Sequence, residues 1–185
     1  VLPTGTFKVR GAWVALTRAI EAGPITEVVA ASTGNHGAAV AWAARELGVP
    51  ARIFVPAHAN AVKTARIRDL GATLVEEGRD LTDAIDRATA HVGQTGAFFL
   101  HDASNPDVPH GTATISAELL DQASAIDTVY VPMGDTALIR GVATRLKASG
   151  RPIAVVGVVA AEAPAYLQSW RAHRVIETAS ADTIA

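Results

Sequence analysis

The stretch EVVAASTGNHGAAVAWAARELGVPARIFVP, Glu27 to Pro56, decides the fold class. Glu27 to Ala31 is a short apolar run and reads as a buried strand. Asn35 to Leu47 is Ala-rich and helical in pattern, closed by Gly48 and Pro50. Ala51 to Val55 is a second apolar run, stopped at Pro56. Two strands joined by a helix of this length pair in parallel through a right-handed crossover.

The same alternation continues on both sides. Ala12, Leu16 and Ile20 share the face of an earlier helix, which Gly23-Pro24 ends. Downstream, helices are expected over Ala61–Leu70, Leu81–Val92, Thr112–Gln122, Leu138–Ala148 and Ala165–Ala172. The strands between them are Ala72–Val75, Ala97–Leu100, Thr128–Val131 and Ile153–Val159. The fold class is α/β, with open parallel sheets and flanking helices.

Composition narrows the function. Of 185 residues about half are apolar, so a core can be buried, while 16 basic residues nearly balance 18 acidic ones. No basic surface is expected for nucleic acid or an anionic membrane. With no cysteine, disulfides, thiolate metal sites and thiol catalysis are excluded. Gly, Pro or charge breaks every apolar stretch before it could span a bilayer. No secretory leader is visible, and the expected location is the cytoplasm.

In open α/β folds, ligands sit beyond the carboxyl ends of strands. That directs attention to the loops Ser32–Gly37, His101–Gly111 and Met133–Ala137. In the first, Ser32, Thr33, Asn35 and His36 surround the free N–H groups of a helix start, a good anion site and equally a good helix cap. VPMGDTALIRG, Val131–Gly141, repeats the arrangement, with Asp135 or Thr136 available as a cap. PTGTFKVRGA, Pro3–Ala12, places Lys8 at a helix start, where the dipole favours a neutral amine. A neutral amine is what a Schiff base requires, although a lysine there can equally be an ordinary surface residue.

PTGTFKVRGA, STGNHG and VPMGDTAL stand together and in this order. With them the chain resembles the fold type II (tryptophan-synthase-like) pyridoxal-phosphate (PLP) enzymes, in the threonine/serine ammonia-lyase (dehydratase) and serine racemase branch. AAEAPAYLQSW, Ala160–Trp170, and the terminal DTIA also look like dehydratase sequence. The resemblance implies pyridoxal 5'-phosphate held on Lys8 as a Schiff base, with Phe7 against its ring and Asn35 bonded to the ring hydroxyl. It implies that Gly134, Asp135, Thr136, Ala137 and Leu138 cradle the phosphate. Ser32, Thr33, Asn35 and His36 would bind the substrate carboxylate.

Lys8 and Thr33 are the catalytic candidates. A Ser at position 33 would be the second-face base of a racemase, so Thr33 favours a lyase. His36 favours this branch over the cysteine-synthase branch. The implied reaction is β-elimination on a hydroxy amino acid such as L-threonine or L-serine, giving a 2-oxo acid and ammonia. The alternatives are serine racemase-like activity and a non-catalytic fragment that binds PLP weakly or not at all.

The expected partners are a small-molecule amino acid and a second copy in a homodimer, without nucleic acid or membrane. The expected architecture is two-domain: residues 25–104 form a small parallel α/β domain, and 1–24 with 105–185 part of a large PLP-binding domain. That large domain is expected to be incomplete, because the family carries further sequence before the lysine motif and after the present end. Asp135 departs from the family's glycine-rich loop and sets a negative charge where a phosphate dianion would bind. NPDVPHGT, Asn105–Thr112, is shorter than the family's version. Glu162 lacks a partner carboxylate, Gln168 standing in its place, and His58, His91, His101, His110 and His173 have no ligand spacing, so no metal is expected.

Overall fold

A computed structural model describes residues 2–178. The terminal DTIA lies outside the described residues. Seven helices and six strands alternate along the described chain. They are α1 (Lys8–Ala22), β1 (Val28–Ala31), α2 (Asn35–Leu47), β2 (Ala51–Val55), α3 (Ala61–Asp69), β3 (Thr73–Glu76) and α4 (Leu81–Thr95). Then follow β4 (Phe98–Phe99), α5 (Val108–Gln122), β5 (Thr128–Pro132), α6 (Ala137–Ala148), β6 (Ala154–Val158) and α7 (Ala165–Ala172).

Two parallel sheets result. One has four strands in the order β3-β2-β1-β4, with Val28 opposite both Ala51 and Phe98, and Arg52 opposite Thr73. The other pairs β5 with β6, from Thr128 opposite Ala154 to Pro132 opposite Val158. β1 is central, and Val28, Val29 and Ala30 are fully buried. A strand covered on both faces needs no polar alternation, which is why its sequence is continuously apolar.

Alternate residues of β1 and β2 enter different cores. Val28, Ala30, Ile53 and Val55 pack with α1, α2 and α3, while Val29 and Phe54 pack with Ala84 and Ala88 of α4. The first core also takes in Val108 of α5 and Ala137 of α6. It therefore runs from the four-stranded sheet through α1 to the helices beside β5.

Glycines let those helices approach. A Cβ on Gly11 would come within 2.7 Å of the Val108 side chain. One on Gly111 would run into the Arg10 backbone, and one on Gly141 into Thr112 and the Pro109 carbonyl. Across the α5–α6 seam, the buried Thr112 hydroxyl donates to the Ala137 carbonyl at 2.9 Å and Ser116 to that of Val142 at 3.0 Å. Two buried hydroxyls thus fix the register of the helix that carries the Met133–Ala137 loop.

Two boundaries differ from the sequence reading by more than one residue. α5 begins at Val108 rather than Thr112, with Pro109 in its first turn, where a missing N–H costs nothing. α4 continues three residues further, to Thr95, and Gly96 then closes it in the left-handed conformation (φ 70°). On the β5–β6 pair, Tyr130, Val156 and Val158 are exposed.

Candidate active site

Lys8 is the first residue of α1. Its ammonium nitrogen lies 2.8 Å from Oδ2 of Asp102, in the loop after β4, and also contacts Oδ2 of Asp135, in the loop after β5. The lysine therefore sits between strand ends belonging to the two sheets. The three side chains are 15%, 23% and 25% exposed, so the cluster is open to small molecules but largely shielded from bulk water. Lys8 Nζ is also 5.5 Å from the centroid of the Phe7 ring.

The loop carrying Asp102 is held on both sides. Just before it, the Leu100 carbonyl meets Nε2 of His36 at 2.9 Å. Just after it, the Ala103 carbonyl accepts a bond from Arg140 of α6 at 2.9 Å. His101 Nδ1 accepts the N–H groups of Ala103 at 3.2 Å and Ser104 at 3.4 Å. That nitrogen lies 3.8 Å from Asp102 Oδ1, but as an acceptor it has no proton to offer the carboxylate.

Burial alone would raise the Asp102 pKa. The hydrogen bond and positive charge of Lys8 oppose it, and the carboxyl stands below its ordinary range. His36 is buried, and burial pushes its imidazole below the usual value, so it is neutral and donates from Nε2 to Leu100. The ring thus faces the interior, and not an open carboxylate-binding pocket as the sequence reading expects. An imidazole in a nearly solvent-free position fills its donor with the nearest carbonyl.

The other expected residues of this loop lie at the start of α2. Ser32 Oγ accepts the Gly34 N–H at 3.2 Å, and Thr33 and Asn35 are exposed. The first intrahelical bond is Ala38 N–H to Gly34 O at 3.1 Å. The N–H groups of Asn35, His36 and Gly37 thus have no acceptor within the helix. Lys63 of α3 flanks the loop: a Cβ on Gly34 would lie 3.6 Å from its Nζ.

At the second cradle, Asp135 Oδ1 accepts the Ala137 N–H at 2.9 Å, while its other oxygen contacts Lys8. Asp135 thus supplies the capping side chain, while Thr136, at the N-cap position itself, makes no side-chain cap bond and is left-handed (φ 67°). That conformation is costly for a β-branched residue. A Cβ on Gly134 would meet nothing within 4 Å, so the loop opens onto free space. Among the described residues no group of three His, Asp or Glu is placed to hold a metal ion.

The donor set suits a phosphorylated aldehyde. A primary amine faces the start of α6, where Leu138 and Ile139 have N–H groups without intrahelical acceptors. A carboxylate already stands in that place as an anion. The family model described as "Pyridoxal-phosphate dependent enzyme" matches residues 1–185. The chain belongs to that family.

The relatives agree. L-threonine ammonia-lyase of Thermotoga maritima is 35% identical over 98% of this chain and 45% of its own length. Serine racemase of Oryza sativa subsp. indica is 34% identical over 98% of this chain and 53% of its own. The structure of maize serine racemase superposes with a TM-score of 0.93 at 32% identity, over 98% of this chain and 55% of that one. The chain spans about half the length of the relatives it matches. Its α/β architecture with parallel sheets is theirs, as the sequence reading expects.

Asp102 escapes the sequence reading. It stands in one of the three loops singled out, yet nothing in HDASN marks the aspartate above its neighbours. Its position two residues after Leu100, directly beyond the β4 end, is the signal that could have found it.

Proposed function

We propose that the protein performs β-elimination on a hydroxy amino acid such as L-threonine or L-serine, releasing a 2-oxo acid and ammonia. The observation that carries this reading is the amine of Lys8, held between strand-end loops of two sheets and facing a helix-start anion cradle. Bound PLP would supply an electron sink for the Cα carbanion. Lys8 anchors the cofactor and then, as a free amine, takes the Cα proton and can return it to the leaving hydroxyl. Phe7 would lie against the ring and Asn35 would bond its hydroxyl. Gly134, Asp135, Thr136, Ala137 and Leu138 receive the phosphate.

The substrate carboxylate goes to the start of α2. Ser32, Thr33 and Asn35 offer side chains there, and His36 its backbone N–H, since its ring is committed to Leu100. Thr33 shares the catalytic surface with Lys8. In this reading residues 25–104 form the small domain, and residues 1–24 with 105–185 contribute to the large one. The cleft between them is the site, the assembly a homodimer and the compartment the cytoplasm.

Serine racemase is the second reading, supported by the likeness to the rice and maize proteins. One experiment separates the two. L-Threonine and L-serine are supplied to the PLP-loaded protein, and 2-oxo acid, ammonia and D-serine are measured. Oxo acid and ammonia are expected, whereas D-serine alone overturns the lyase reading.

A further inference from the structure

Asp102 has a place in the site that neither cofactor anchoring nor substrate-carboxylate binding uses. Its Oδ2 is 2.8 Å from Lys8 Nζ, the atom that must exchange places with the substrate nitrogen. Its backbone is fixed from one side by His36 through Leu100 and from the other by Arg140 through Ala103. The charged and titratable groups around it are Lys8, Asp135 beyond Lys8, the neutral buried His36 and the His101 ring, whose Nδ1 is filled by backbone donors.

Once Lys8 is bonded to the cofactor's carbonyl carbon, Asp102 loses its free ammonium partner. A shielded carboxylate without a cation is costly, and an arriving amino acid brings an ammonium to fill the gap. That ammonium cannot form a C–N bond until it gives up a proton. We propose that Asp102 is a catalytic residue that takes this proton from the substrate ammonium as amine exchange begins. The inference rests on the function proposed above.

Asp102 Oδ2 takes one proton from the substrate –NH3+, and the freed lone pair forms the new C–N bond. A second proton crosses directly between the two nitrogens while both are bonded to the same carbon. The C–N bond to Lys8 then breaks and its electron pair stays on Nζ, which leaves as the free amine that can take the Cα proton. Of the two protons lost by the substrate nitrogen, one now rests on Asp102 and one on Nζ.

The test uses the PLP-loaded protein and α-methyl-L-serine, which has no Cα hydrogen and so stops after exchange. The exchange rate is read by stopped-flow absorbance between about pH 6 and pH 9. The wild-type rate should be nearly level, because the base is built in. Asp102→Asn should slow exchange by about a hundredfold near neutrality and make the rate climb with pH, since solution base must replace the side chain. Asp102→Ala should respond to added formate in proportion to its concentration. Wild-type rate and pH slope in a PLP-retaining Asp102→Asn, or no formate response in Asp102→Ala, overturns the proposal. A wild-type protein with no PLP on Lys8 brings down the proposed function, and this inference with it. A retained cofactor with unaltered exchange brings down this inference alone.

Discussion

Asp135 binds at once the amine of Lys8 and, at 2.9 Å, the N–H of Ala137, so one carboxylate joins the candidate anchor to the helix start that faces it. A phosphate arriving at this cradle meets a negative charge already in place. At a few Å and an effective dielectric near 20, like charges repel by roughly a few kcal/mol before salt screening. Asp135→Gly is therefore expected to tighten PLP binding, and Asp135→Asn to do so by less, since the amide keeps the bond to Ala137 but not the charge. Fluorescence titration with PLP at two salt concentrations measures both. Weaker binding in both variants would mean that Asp135 supports the cradle and that the electrostatic argument has the wrong sign.

Lys8 is the expected site of covalent attachment. Lys63 is the instructive control, because it borders the α2 loop through Gly34 and could reach an anion there without carrying the cofactor. Borohydride reduction of the PLP-loaded protein followed by peptide mapping should place the pyridoxyl group on Lys8. A label on Lys63 or Lys147 instead would refute the assignment.

Gly141 is predicted to be intolerant of even one added carbon. Its missing Cβ would strike the Thr112 hydroxyl and the Pro109 carbonyl, both in the helix packed against it. Thr112 cannot yield without losing its bond to Ala137, the first residue of α6. Overpacking of this kind costs about 1–3 kcal/mol. Gly141→Ala should lower the urea midpoint accordingly and weaken PLP binding, because the strain falls on the helix that opens the cradle. Gly93→Ala, where a Cβ meets nothing within 4 Å, should cause no comparable loss.

The order of strands and helices was legible because each element is short, apolar in a clear pattern and punctuated by Gly or Pro. Gly48 and Gly96 are true left-handed helix ends, while Pro109 misleads because a proline in a first helical turn looks like one in a loop. Lys8 and the two helix-start loops were legible from motifs. The Lys8–Asp102–Asp135 cluster was not, because its members lie 94 and 127 residues from the lysine and meet only through the fold. Nor does sequence tell which way a histidine turns: His36 follows Asn35 in an anion-binding motif, yet its ring closes a contact with Leu100.

That inward turn of His36 has a consequence for stability. Burial, opposed by Asp102 and the Leu100 bond, lowers its pKa from the ordinary 6.5. In the unfolded chain the ring titrates near its ordinary value. Between the two values the unfolded state binds the extra proton and the folded state does not. Stability from this group is thus complete above about pH 6.5 and lost as pH falls towards the folded value, by at most about 1.4 kcal/mol per pH unit. Asp102 acts in the same direction, but only below the ordinary carboxylate range, so measurements kept above about pH 5 isolate the histidine. His36→Gln keeps an N–H for Leu100 and has no charge to gain. Urea unfolding of both proteins should show the variant weaker near pH 7.5, by about 1 kcal/mol for an imperfect buried bond. The difference should shrink steadily towards pH 5. A difference that stays constant across that range would mean that His36 is protonated equally in both states, and its ring would then have to face solvent.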